Sequence, residues 1–515
     1  MDSSSTIVDN LRRSVERNPE GCAVSQSGVD LSYSELWAQV MAVAGHLQGR
    51  GLACGDRVAL VLKNSSAYIA AYYGALAAGG IVVALNASAK SPDLAQWIRH
   101  SGATWLFVDR DNDQSKALLD CLDPRPCTVW VGALASTPTH SLQDFDAILS
   151  AAEMPRRSAP VGRDLASILY TSGTTGRPKG VLLRHANLVS NTNAIVDYLG
   201  LSCADSSVTV LPFYYSYGNS VLNTHLTAGA RISLADNLVY PQLLVQRLVD
   251  ERATGFSGVS STYSLLLSRV RLADYDLSSL RYVTQAGGSM SPTLTQRLVT
   301  ALPQCRIFVM YGQTEASARL CYLPPDRLQE KMGSVGVAVQ DVRIEVRHDD
   351  GREAKADEIG EVWARGPNVM VGYWLDPVAT AATLQDDWLK TGDSGYQDRD
   401  GYLYLVGRRS DIIKAGAHRI HPADVERVIA EVPGVEEVAV VGVDDEVLGQ
   451  AVKAFLVASP GVSLDLMSIR AHARSQLSSY KVPKYLELVA SLPKTSSGKV
   501  RRGELINMGA PKHEA

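Results

Sequence analysis

Tyr170-Thr-Ser-Gly-Thr-Thr-Gly-Arg-Pro-Lys-Gly180 follows an apolar run, Ala166 to Tyr170, and consists mostly of glycine and small hydroxyl residues. A strand that runs into such a loop can bring backbone N–H groups against an anion, because glycine removes the Cβ that would hold the anion off. Thr171, Ser172, Thr174 and Thr175 add hydroxyl donors, Gly173 adds backbone freedom, and Lys179 adds a charge. The stretch is not a Walker A loop, which needs Gly-Lys-Ser/Thr. A polar surface loop could have the same composition, so the residues alone define a candidate phosphate cradle at the end of a strand.

Outward from this loop the chain alternates between two hydrophobic periods. On its N-terminal side, Ser32-Tyr-Ser-Glu35 is a capping box. Leu36, Val40, Val43 and Leu47 then recur at helical spacing. Strand-length apolar runs follow at Arg57 to Leu62, Gly80 to Leu85, Thr104 to Val108 and Thr128 to Val131, with helical stretches between them, which predicts a mostly parallel, helix-covered sheet. Polar residues Glu153 to Asp164 read as a connection. A second series begins with Ala166 to Tyr170 and continues at Val208 to Pro212, Arg231 to Leu234, Leu280 to Thr284 and Arg306 to Met310, with a helix over Pro241 to Arg252. From Gly333 to Leu405 short strands alternate with glycine turns. After Gly407 a compact α+β unit is expected, with helices over Pro422 to Glu431 and near Leu466 to Leu477, and strands over Val435 to Val443, Val452 to Val457 and Tyr485 to Leu488. The expected fold is α/β with α+β: a large N-terminal domain, 1–407, of helix-covered sheets plus a β-rich subdomain, and a small mobile C-terminal domain, 408–515. The tail after Met508 is expected to fray.

Composition narrows the function. The 515 residues are 46% hydrophobic and 20% charged, with a formal net charge of -4. That charge supplies no basic field for nucleic acid. No apolar run approaches the roughly 20 residues of a membrane span, and the first residues lack the basic and apolar regions of a secretion signal, so the expected location is cytoplasmic. Seven cysteines are scattered without a Cys-x-x-Cys pair, which argues against a zinc site or a disulfide framework. No Gly-x-Gly-x-x-Gly follows the early strands, so an NAD-binding reading fails.

Four further stretches follow the Thr/Gly-rich loop: Tyr311-Gly-Gln-Thr-Glu315, Thr391-Gly-Asp393, Gly407-Arg-Arg-Ser-Asp-Ile-Ile-Lys414 continuing to His418-Arg419, and Pro493-Lys-Thr-Ser-Ser-Gly-Lys499. In this order the five resemble the signature motifs of the adenylate-forming superfamily, which holds acyl-CoA synthetases, carrier-protein-loading adenylation domains and beetle luciferases. The resemblance implies an enzyme that activates a carboxylic acid with ATP as an acyl-AMP, releases pyrophosphate, and passes the acyl group to a thiol. Acid and ATP repel one another, so the encounter needs cations and oriented donors. The resemblance implies Mg²⁺ held by Glu315 and assisted by Thr175, a hard-oxygen site that suits this ion. Asp393 and Arg408 are implied at the ribose. Ala286, Gly287, Gly288 and Tyr311 are implied around adenine, with Gly312, Gln313 and Thr314 beside the nucleotide. Lys499 is implied as the cation of the adenylation transition state. Lys414 and Arg419 are implied to face the site in a second state, reached by rotation about a hinge at Ser410, where relatives usually carry Asp or Lys. Ala417 stands where many relatives have the glycine of the thiol channel, and Gly416 is a possible substitute.

The implied acid pocket comprises Tyr214, Tyr215, Asn219, Ser260, Thr262, Thr284, Met310 and Arg319, with Ala286 also on its wall. Tyr215 stands where amino-acid-activating domains place an aspartate, and a buried tyrosine would leave an ammonium unpaired. An α-amino acid is therefore disfavoured. Arg319, if it faces the pocket, can pair with a second carboxylate or another polar end of the acid. The expected acceptor is CoA. The alternatives are a carrier-protein phosphopantetheine, an amine in an amide-forming synthetase, and a non-catalytic nucleotide-binding relative. The last is disfavoured by the presence of Lys179, Glu315, Asp393, Arg408 and Lys499.

Overall fold

The computed structural model describes residues 5–132, 143–157, 159–171, 179–235, 240–408, 411–415, 418–445, 448–495 and 499–509. The helix Tyr33–Gly49 begins where the capping box places it. Ser32 Oγ accepts from the Glu35 N–H at 3.2 Å, and Glu35 Oε2 accepts from the Ser32 N–H at 2.8 Å. Its expected stripe of Leu36, Val40, Val43 and Leu47 is fully buried. The next helix, Ser66–Ala77, is apolar on all sides, and every residue from Tyr68 to Ala77 is buried. A helix of that kind must lie between two covering layers.

Two sheets supply those layers. The first runs, in spatial order, Gly372–Tyr373, Lys179–Arg184, Leu165–Thr171, Ile81–Ala84, Arg57–Val61, Trp105–Asp109, Cys127–Val131 and Gln143–Asp144. Its central strands are parallel and buried on both faces, as near-continuous apolar runs require. The second runs Val337–Ala338, Cys321–Tyr322, Arg306–Tyr311, Tyr282–Gln285, Gly255–Gly258, Ser206–Thr209, Arg231–Leu234, Cys22–Gln26 and Val29–Ser32. One apolar core takes residues from both sheets and from Ser66–Ala77. The hydroxyl of Tyr73 donates to Asn223 Oδ1 at 2.8 Å, tying that helix to Ser216–Ala228.

Two features depart from the expected series. Leu165–Thr171, taken as the opening strand of the second series, pairs with Ile81–Ala84 and belongs to the first sheet. The edge of the second sheet is instead the hairpin Cys22–Gln26 and Val29–Ser32, with Val24 opposite Ile232. Neither exchange leaves a local trace, because a parallel partner is chosen by layer packing and not by neighbouring sequence. Gly255–Gly258, a fully buried strand of the second sheet, was not anticipated, since Gly-Phe-Ser-Gly has almost no strand propensity of its own.

The glycine-rich region forms a third, antiparallel sheet of Arg343–Arg347, Gly360–Arg365, Trp388–Gln397 and Leu384–Gln385, with Leu403–Arg408 also on Trp388–Gln397. The C-terminal unit forms a fourth, of His418–Ile420, Ile413–Ala415, Gly449–Ala458 and Val435–Asp445, with Tyr485–Leu488 beside Gly449–Ala458. Helices Pro422–Ile429, Leu466–Gln476 and Arg502–Gly509 accompany it. The hairpin Ile413–Ala415/His418–Ile420 and the last helix were not anticipated. The largest core draws residues up to Leu405, and the cores of the C-terminal unit begin at Ile413. All seven cysteines are free thiols. No helix among the described residues is long and apolar enough to cross a membrane.

Replacing Ser32 with Ala should cost about 1 kcal/mol through loss of the cap. The check is a lower urea midpoint together with faster hydrogen exchange at the Glu35 amide.

Candidate active site

The carboxyl ends of strands from both sheets converge. Leu165–Thr171 and Lys179–Arg184 pair antiparallel with Thr171 opposite Lys179, which fixes the two ends of the Thr/Gly-rich stretch. Ser172, Gly173, Thr174 and Thr175 lie outside the described residues. Lys179 Nζ stands 5.0 Å from the centre of the Tyr373 ring. The Tyr373 hydroxyl donates to Glu315 Oε1 at 2.9 Å, and the Met370 N–H donates to the Glu315 carbonyl at 2.8 Å. The first sheet thus holds a residue that the second sheet supplies. Tyr373 escaped the sequence reading. Its only signal was the aromatic pair in Gly372-Tyr-Trp374, set in a polar stretch.

Glu315 is half-buried, and one of its oxygens is steadied by a neutral hydroxyl and not by a cation. Among the described residues no cluster of three or more His, Cys, Asp or Glu could hold a metal ion alone. One available carboxylate without a protein cage fits Mg²⁺ shared with substrate phosphates, the usual arrangement for this ion.

Asp393 joins three strands. Tyr311, ending Arg306–Tyr311, donates its hydroxyl to Asp393 Oδ2 at 2.6 Å. Arg408, the cross-strand partner of Asp393, places Nε 2.8 Å from Oδ1. Asp393 is buried, and desolvation pushes its carboxyl above the usual range against the opposing pull of Arg408 and the Tyr311 hydrogen bond.

Past Tyr311 the chain doubles back. Gln313 precedes a short helical turn, Thr314–Ala316, Ser317 takes φ 62°, and the Leu320 N–H returns to the Tyr311 carbonyl at 2.8 Å. A Cβ at Gly312 would lie 1.9 Å from the Ala318 carbonyl oxygen, so only glycine fits. Thr314 Oγ1 meets Ser216 Oγ at 3.2 Å, which sets the first turn of helix Ser216–Ala228 against the loop that follows Tyr311.

Of the expected acid-pocket residues, Thr284 is buried, with its carbonyl accepting from the Tyr217 hydroxyl at 3.0 Å and its Oγ1 2.9 Å from that hydroxyl; Tyr217 was not in the expected set. Met310 Sδ accepts from the Tyr198 hydroxyl at 2.9 Å and from Arg319 Nε at 3.3 Å. Gln285 Nε2 donates to Ser260 Oγ at 3.0 Å and to the Gly288 carbonyl at 2.7 Å, so Ser260 and residues 286–288 form one ledge. Tyr214 and Tyr215 are half-buried, with rings 4.4 Å apart. Thr262 is buried, with its hydroxyl accepting from the Val259 N–H at 3.4 Å at a helix start. Asn219 is buried, and its Oδ1 accepts from Asn223 at 2.9 Å and from Tyr72 at 3.4 Å, toward Ser66–Ala77.

The C-terminal unit contributes Lys499. Its N–H donates to Thr495 Oγ1 at 3.1 Å, and its carbonyl accepts from the Thr495 N–H at 2.7 Å, closing a short loop. The side chain retains solvent access but stands within the charge field of Arg408, Asp393 and Glu315. Desolvation by the surrounding protein, then Arg408, lowers its ammonium pKa, while Asp393 and Glu315 oppose the shift. Lys414 is exposed on the hairpin Ile413–Ala415/His418–Ile420, with Arg419 as its cross-strand partner. Ser410, Gly416 and Ala417 lie outside the described residues.

Residues 11–374 match the family described as AMP-binding enzyme, and residues 424–499 match AMP-binding enzyme C-terminal domain. A feruloyl-CoA synthase from Amycolatopsis sp is 33% identical over 96% of this chain and 97% of its own. The solved structure of o-succinylbenzoate CoA synthetase from Bacillus subtilis, in complex with the acyl-adenylate intermediate OSB-AMP, is 26% identical, with TM-score 0.83 over 96% of this chain and 97% of that one. An amide bond synthetase from Marinactinospora thermotolerans is 29% identical, with TM-score 0.88 over 98% and 100%.

Gly312→Ala should cost about 1–3 kcal/mol, the usual range for overpacking. It should lower the urea midpoint and abolish the thermal shift produced by ATP.

Proposed function

This chain belongs to the AMP-binding enzyme family, and we propose that it is an acid–CoA ligase whose residues 408–515 act as a lid over residues 1–407. It activates a carboxylic acid as an acyl-adenylate and transfers the acyl group to the thiol of CoA. The observation that supports the reading is the contact of Asp393 with Tyr311 at 2.6 Å and Arg408 at 2.8 Å, with Lys499 of the C-terminal unit near enough to feel the charges of Asp393, Arg408 and Glu315.

Each group has a task that its geometry suits. Asp393 is already fixed by Arg408 and Tyr311 and retains acceptor capacity on both oxygens for the two ribose hydroxyls. The ledge 286–288 and Tyr311 flank the adenine. Lys179, with the hydroxyls of 171–175, holds phosphate. Mg²⁺, which neutralises phosphate charge, would be held by Glu315 with Thr175. A carboxylate oxygen of the acid attacks the α-phosphorus, the bond to the bridging oxygen breaks, and pyrophosphate leaves. Lys499 lies between the acid and the α-phosphate and stabilises the charge that spreads over the equatorial oxygens. For the second half-reaction the lid turns about Ser410, withdraws Lys499, and brings Lys414 and Arg419 toward the acyl-adenylate. The CoA thiol then attacks the acyl carbon and AMP leaves. The likeness to an amide bond synthetase supports an amine as the second candidate acceptor, and product mass with CoA against an amine separates the two.

Lys499→Ala should slow ATP–pyrophosphate exchange by about 10²-fold or more, as loss of one electrostatic stabiliser does. The ammonium is the active form, so exchange should fall as pH rises through the lowered Lys499 pKa, below the ordinary lysine range. In Arg408→Gln the fall should move to higher pH, because one of the groups that depresses that pKa is gone. Exchange at the wild-type rate in Lys499→Ala would remove this lysine from the reaction.

A further inference from the structure

Five charged side chains are buried among the described residues: Asp205, Arg319, Lys331, Glu345 and Asp393. Four of them have an opposite charge at hand. Asp205 meets Arg281, Lys331 meets Asp398 and Asp400, Glu345 meets Arg343 and Arg347, and Asp393 meets Arg408. Arg319, only 2% exposed, is the exception. Its N–H groups reach Met310 Sδ at 3.3 Å, the Ala318 carbonyl at 3.3 Å and Ser220 Oγ at 3.4 Å, and its guanidinium carbon lies 4.3 Å from the centre of the Tyr217 ring. None of these partners is an anion. A buried cation without a counter-charge is costly, and proteins keep one only where something compensates it.

The guanidinium is also firmly placed. Its backbone N–H donates to Asn191 Oδ1 at 3.2 Å, and its carbonyl accepts from Asn191 at 2.9 Å and from Asn368 at 2.7 Å. Tyr217 separates it from the ledge. Gly288 is exposed and has open space where a Cβ would stand. A Cβ at Gly287 would meet Val259 Cγ1 at 3.3 Å and Tyr217 Cδ1 at 3.9 Å, so the ledge packs directly against the Tyr217 ring. Tyr217 in turn carries Arg319 over its ring. From the adenylate side inward, the order is open ledge, aromatic wall, then uncompensated cation.

We propose that the acid activated by this enzyme is a dicarboxylate: one carboxyl is adenylated, and the second, at the far end of the molecule, pairs with Arg319. The inference rests on the acid-adenylation reading above. A planar guanidinium suits a carboxylate through paired hydrogen bonds, and the second carboxylate supplies the charge that the protein leaves out.

The test is ATP–pyrophosphate exchange with matched mono- and dicarboxylic acids, aliphatic and aryl, of equal length. For the wild type, at least one dicarboxylate should exceed its monocarboxylate counterpart in kcat/KM by about 10–100-fold, the range for a hydrogen bond to a charged group. Arg319→Met should erase that ratio, chiefly by raising KM for the dicarboxylate, with a smaller loss for the monocarboxylate. Arg319→Lys should restore part of it. A wild type that prefers the monocarboxylate in every pair overturns the proposal, and this arm needs no variant to fold. So does Arg319→Met lowering both members of a pair equally, which would make Arg319 a structural residue. No exchange with any acid would instead overturn the adenylation reading, an outcome distinct from either of these.

Discussion

The buried carboxylate of Asp393 is the fixed point of this molecule. Tyr311 brings the second sheet to it, its own strand and Arg408 bring the third sheet, and the lysine of the C-terminal unit stands in its field. A buried carboxylate is stable only while those partners remain, so the pieces of chain that meet there hold one another in register. The adjoining contacts extend the constraint. Tyr373 pins Glu315 to the first sheet, and Thr314 meets the helix that begins at Ser216. The residues proposed to bind ligand at this point are therefore also ones that join layers.

The same crowding has an electrostatic consequence. Desolvation, and then the charge of Arg408, lower the pKa of the Lys499 ammonium, while Asp393 and Glu315 oppose the shift. A polyphosphate entering the cleft would add negative charge beside both cations. The site is arranged for a visitor that brings its own anions. Arg319 repeats this logic deeper in the protein, where a cation is held in place and its counter-ion is left to come from outside.

Much of this was legible in the residues. Helix Tyr33–Gly49 follows from its cap and stripe, and the central parallel strands from their unbroken apolar runs. The motifs located Lys179, Tyr311, Glu315, Asp393, Arg408 and Lys499, and the structure brings these together. The failures share one cause. The sheet that accepts Leu165–Thr171, the edge position of Cys22–Gln26 and the strand Gly255–Gly258 are all decided by contacts between distant segments. Tyr373 was missed for the same reason, since its role depends on a partner 58 positions away in the chain.

The pairing of Val24 with Ile232 also bears on how the protein is made. The hairpin that contains Val24 leaves the ribosome ahead of its parallel neighbour, which is roughly 200 residues behind, about 10–40 s at the usual 5–20 residues per second of synthesis. During that interval one edge of the hairpin has open backbone groups and apolar side chains with no sheet to join. The nascent chain thus carries an open strand edge, of the kind that pairs with other chains, until Ile232 has been made.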